Sequence, residues 1–145
     1  MKNFKLFISA FLLITLITSC KKEETDDRDK FIGTWKGTVN MTVSGLGINS
    51  SDPSTQIITK GTVNPKQIIF TEVGETVGSI ANVNGNAYTY DEYTYTETVQ
   101  GQTVSMKFNG NGSINGNAIT ESGTLKVYLL GQEYPGSWSS TLNKQ

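Results

Sequence analysis

Residues 31–145 predict an all-β domain, an antiparallel up-and-down meander of eight or nine strands that closes into a barrel, with a sandwich as the alternative. Three observations carry this expectation. Apolar and polar residues alternate with period two along several runs. Those runs are rich in Thr, Val, Tyr and Ile and are punctuated by Gly and Asn, the composition of pleated, half-buried surface. No window of the domain has the spacing of an amphipathic helix. A meander of this size must close or fold over, because open strand edges invite aggregation.

The elements follow in chain order. From Trp35, the residues Gly37, Val39, Met41 and Val43 alternate with Lys36, Thr38, Asn40 and Thr42, which reads as the first strand. Ser44 to Ser54 reads as the longest connection, polar and flexible but for Leu46 and Ile48, which would lie over one barrel end as a lid or plug. Val104, Met106 and Phe108 repeat the alternation, as do Leu125, Val127 and Leu129, and Tyr134 to Leu142 reads as the last strand.

An internal repeat supports the meander. Val83-Asn84-Gly85-Asn86-Ala87-Tyr88 recurs as Ile114-Asn115-Gly116-Asn117-Ala118-Ile119, and a Gly-Gln pair follows each copy, at Gly101-Gln102 and Gly131-Gln132. The unit reads as a duplicated pair of hairpins. Asn-Gly predicts a type I′ turn, which needs positive φ at both central residues.

Tyr88, Tyr90, Tyr93 and Tyr95 form the densest aromatic cluster. The alternation slips by one residue at Asp91-Glu92, so the two tyrosine pairs face opposite ways unless a bulge or turn re-phases them. The cluster is a candidate ligand-binding surface; ordinary cross-strand pairing is the competing reading.

The amino terminus carries an address. Lys2 and Lys5, then an apolar stretch from Leu6 to Ile17, then Ile17-Thr18-Ser19-Cys20, make up a secretion signal whose core is too short to span a bilayer. The tetrapeptide resembles the bacterial lipobox. That resemblance implies acylation of the Cys20 thiol, cleavage before it, and a signal peptide of residues 1–19. Residues 21–30 hold nine charges in ten positions, so 20–30 reads as a lipidated cysteine with a charged tether that cannot bury enough surface to order itself. The tether also resembles those of surface-exported lipoproteins of Bacteroidota, which implies a lipid-anchored, outer-membrane and surface-exposed location.

Composition excludes more chemistry than it suggests. In residues 31–145 eight carboxylates face six lysines and there is no arginine, so no basic stripe is available to neutralise nucleic acid. The chain has no histidine and one cysteine, which removes triads, a thiol nucleophile once Cys20 is acylated, and the commonest zinc ligands. Asp52-Pro53-Ser54 lacks the clustered oxygens that calcium needs. Neither metal nor cofactor is expected. The one catalytic constellation open to the domain is a carboxylate pair, Asp91 or Glu92 with Glu97 or Glu121, and the chain is read as a non-enzyme.

Phe31-Ile32-Gly33-Thr34-Trp35 completes the reading. A Gly-x-Trp entering the first strand of a small β-meander resembles lipocalins and, with the intervening threonine, avidins. The whole layout resembles small lipocalin-like lipoproteins of Bacteroidota. Lipocalins pair that tryptophan with an arginine late in the barrel, and this domain has none. Trp35 is expected to plug one barrel end, with Trp138 from the last strand meeting it there. The expected function is a monomeric, membrane-anchored barrel that binds a small lipophile or glycan, with Trp35, Leu46, Ile48, Tyr88, Tyr90, Tyr93, Tyr95 and Trp138 as candidate contacts. The alternative is an accessory or inhibitor-like protein that meets another envelope protein through its outer face or loops.

Overall fold

Alternating strands joined by tight turns build the whole of the described chain, residues 25–99 and 101–145 of a computed structural model. Cys20 and the signal segment lie outside those residues. The strands are β1 (Gly33–Val43), β2 (Ile48–Lys60), β3 (Gln67–Glu72), β4 (Ser79–Asn84), β5 (Ala87–Tyr90), β6 (Tyr93–Val99), β7 (Gln102–Asn115), β8 (Ala118–Leu129) and β9 (Gln132–Lys144). All neighbours are antiparallel, in the order β5-β4-β3-β2-β1-β9-β8-β7-β6, and β5 also pairs with β7. That last pairing closes eight strands into an up-and-down, lipocalin-like barrel and leaves β6 as an extra strand on the β7 edge.

The two strands that share this edge determine the barrel's shape. β5 pairs with Asn111–Ser113 of β7, and β6 pairs with Gln102–Phe108. Among the described residues no strand joins β6 on its other side. β2 pairs with β3 only from Gln56 to Lys60, so among the described residues its first half also has a free edge. The barrel is a closed ring at one end and a laterally split sheet at the other, with the β3–β4 connection, residues 73–78, at the base of the split.

Two apolar clusters fill the ends. At the closed end Phe31, Trp35, Ile58, Ile68, Phe70, Tyr88, Ile119 and Leu142 are buried together. Trp35 is 0% exposed, and its indole N–H donates to the Phe31 carbonyl at 2.7 Å. Lys144 places its ammonium 5.3 Å from the Trp35 ring, a cation–π contact where the lipocalin resemblance anticipates an arginine. At the split end Val43, Leu125 and Val127 are buried against Met41, Leu46, Met106, Phe108, Tyr134 and Trp138. The two tryptophans therefore do not meet: Trp35 seals one end and Trp138 packs in the other cluster, because their strand positions fall on opposite halves of the barrel.

Three further expectations are corrected. The connection after β1 is Ser44–Gly47 alone, since Ile48–Ser54 pair in register with Val43–Gly37. Pro53 is tolerated inside β2 because β3 does not reach it, and a missing N–H costs nothing at a free edge. The repeated hairpins centre on Gly85-Asn86 and Gly116-Asn117, flanked by the pairs Asn84↔Ala87 and Asn115↔Ala118. Positive φ falls on the glycine alone, at 58° and 59°, which makes them type II′ rather than type I′. Finally, the charged tether does not run free to Lys30. Asp26 pairs with Arg28 at 2.6 Å and with Lys60 at 2.9 Å, and Lys60 also pairs with Asp29 at 2.5 Å. These contacts fold residues 26–31 back onto the barrel, and they hold the Asp26 carboxyl well below its ordinary range, the Arg28 hydrogen bond first and Lys60 second.

Candidate functional site: an aromatic cavity over a buried carboxylate

Between the two clusters the interior is hollow and partly polar, because Glu121, Ser140, Ser54 and Gln56 stand at inward positions of the strands. Glu121 is 5% exposed and accepts three hydroxyl hydrogen bonds. Tyr88 and Tyr90 donate to Oε1, the latter at 2.5 Å, and Ser140 donates to Oε2. Burial first, and the charge of Glu121 second, push both phenols above the ordinary tyrosine value, so they stay protonated donors through the neutral range. A carboxylate accepts about four hydrogen bonds, so this one retains capacity. Among the described residues no lysine or arginine forms an ion pair with it.

Above Glu121 lies a cavity of about 340 Å³. Its walls are Phe70, Tyr90, Tyr93, Tyr95, Phe108 and Trp138 with Val39, Met41 and Val77, and its polar rim includes Gln56, Glu72, Glu75 and Asp91. The aromatic wall is continuous with the sealed core: Tyr88 packs edge-on to Phe31 with centroids 5.3 Å apart, Phe70 lies 5.0 Å from both Tyr88 and Tyr90, and Tyr90 meets Trp138 at 5.8 Å. Glycines make room for these rings. A Cβ at Gly112 would run into the Tyr88 ring, and one at Gly123 would run into Trp138 and the Asn109 backbone. The Trp138 indole N–H is fixed by the Asn109 carbonyl at 3.0 Å.

A β-bulge aims the tyrosines. Thr89 faces Asn111 and Tyr93 faces Phe108, so this strand advances four residues while β7 advances three. The extra residue at Asp91-Glu92 restores the phase, and Tyr93 and Tyr95 stand opposite the inward Phe108 and Met106, on the same face as Tyr88 and Tyr90.

The remaining sequence candidates fall elsewhere. Trp35 is sealed in the closed end, Leu46 packs into the opposite cluster, and Ile48 is 40% exposed at the start of β2. Tyr88 reaches the site through its hydroxyl. Of the carboxylates weighed for acid and base roles, Glu121 and Asp91 line the cavity. Glu92 is held by Lys107 at 3.0 Å, and Glu97 lies 3.5 Å from the Tyr95 hydroxyl on β6. Gln56, Glu72 and Phe70 were not singled out from sequence. Their signal was parity: each shares its strand face with a buried apolar neighbour, Ile58 for Gln56 and Ile68 for the other two.

The chain matches no family model and no curated protein. Among solved structures it is similar to a protein of unknown function of the DUF3598 family from Nostoc punctiforme, with a TM-score of 0.49 and 12% identity over 80% of this chain and 48% of that one. The chain spans about half the length of that protein.

Proposed function

We propose that this chain is an envelope lipoprotein, acylated at Cys20, whose barrel takes a small, mainly apolar ligand into the cavity above Glu121. The observation that supports the reading is the cavity itself. Its volume of about 340 Å³ lies at the lower end of the range typical of small-molecule sites, and apolar walls with a few converging polar groups are what such sites present. Part of that apolar wall faces solvent, with Val77 64% and Tyr95 37% exposed, and an apolar ligand would take this surface out of water. The split between β2 and β6 gives the ligand a lateral way in. Glycans stacked on Tyr93 and Tyr95 at the mouth belong to the same reading.

The test is thermal melting of the full chain against a panel of lipophiles and glycans. A ligand that binds only the folded state raises the midpoint by an amount that grows with concentration; a flat response across the panel would contradict the proposal. The alternative, a protein partner, draws support from the unpaired edge of β6, where Tyr93–Val99 offer a row of backbone groups to an added strand. Anchoring is tested separately: the Cys20→Ala chain is expected to take up no fatty-acid label and to leave the membrane fraction, and labelling of that variant would refute the lipid anchor.

A further inference from the structure

The cavity is chemically one-sided, and its imbalance names a class of ligand. Its titratable lining groups other than tyrosines are the carboxylates Glu72, Glu75, Asp91 and Glu121, and no lysine or arginine lines it among the described residues. The mouth carboxylates Glu72 and Asp91 have local donors, Ser54 with the Thr55 amide for the first and Asn82 for the second. Glu121 at the floor has hydroxyl donors but no cation. Beside Glu72 in the β2–β3 register stands Gln56, whose side-chain oxygen is buried without a hydrogen-bond partner. The unmet demand inside the barrel is therefore for a donor and for positive charge. A buried acceptor without a partner, and a buried carboxylate without a cation, each cost free energy that a fitting ligand would recover. The walls serve the same end, since the faces of tyrosine and tryptophan attract cations.

We propose that the cavity binds an organic amine, a protonated ammonium carried on an apolar or aromatic body. The ammonium sits between Glu121 and Gln56, and the body packs against Tyr90, Phe70 and Trp138. This rests on the cavity being a ligand site, as proposed above, and adds the sign of the ligand's charge. A fatty acid or an acidic glycan would bring a second negative charge to Glu121, and the site would reject it.

The experiment compares three probes of similar shape on the full chain by titration calorimetry: 2-phenylethylamine, 2-phenylethanol and 3-phenylpropionate. The amine is expected to bind about tenfold or more tighter than the alcohol, with the carboxylate weakest. In Glu121→Gln the advantage of the amine over the alcohol is expected to shrink toward equality while the alcohol still binds. Should that variant not fold, the wild-type comparison decides by itself. Equal or tighter binding of the alcohol or the carboxylate would overturn the amine proposal and leave the cavity reading intact. No binding of any of the three probes would overturn the amine proposal, and the melting response to the lipophile and glycan panel then decides the cavity reading.

Discussion

Leu130 is the one described residue other than glycine with positive φ, at 53°, and it is 76% exposed. It shares the β8–β9 turn with Gly131, whose φ is 79°, so this hairpin is the type I′ turn that the sequence predicted elsewhere. A leucine held left-handed there costs about 1 kcal/mol relative to residues that adopt the conformation readily. Leu130→Asn is expected to stabilise the fold by about that amount, read as a higher denaturant midpoint; a lower midpoint would contradict the turn assignment. Glu121 shows how far individual residues were legible in the sequence. Alternation along Ile119, Glu121, Gly123 and Leu125 places it inward, yet nothing in that spacing reveals that Tyr88, Tyr90 and Ser140 converge on it from β5 and β9. The convergence depends on barrel closure, a long-range event that local pattern does not encode. The same holds for Trp138. Its parity was readable, but its separation from Trp35 follows from strand position along the barrel.

At the scale of elements, the alternation predicted β1, β7, β8 and β9 well, because those strands are long and one face of each is buried. The stretch 48–54 was misread because Asn, Ser, Asp and Pro are loop-like in composition; there the pairing with β1 overrides local propensity. The slip at Asp91-Glu92 was visible, and the bulge resolves it by bringing all four tyrosines to the inner face. The hydroxyls of Tyr88 and Tyr90 on β5 have a measurable consequence. Below the ordinary tyrosine value of 10.0 both phenols are protonated in the folded and the unfolded chain, and their hydrogen bonds contribute in full. Above it the unfolded chain releases these protons while the folded barrel keeps them, because burial and Glu121 raise both phenols. Stability therefore falls as pH climbs from that value. Alkaline titration followed by phenolate absorbance is expected to show these two of the six tyrosines ionising only as the fold is lost. Ionisation of all six with the fold intact would contradict the buried placement.

At the scale of the molecule, a meander of eight or nine strands was legible, whereas the way it closes was not. β5 and β6 divide the edge of β7 between them, which seals one half of the barrel with Trp35 and leaves the other half split beside the cavity. The central claim, that this space admits a ligand, makes the two tryptophans of the chain natural reporters. Trp138 lines the cavity and Trp35 does not. The most direct measurement is a nuclear magnetic resonance titration of the full chain with 2-phenylethylamine, following the two indole N–H signals. The expected result is a saturable shift of the Trp138 signal with the Trp35 signal unmoved. A shift at Trp35 alone, or no shift at either signal up to the solubility of the probe, would contradict it.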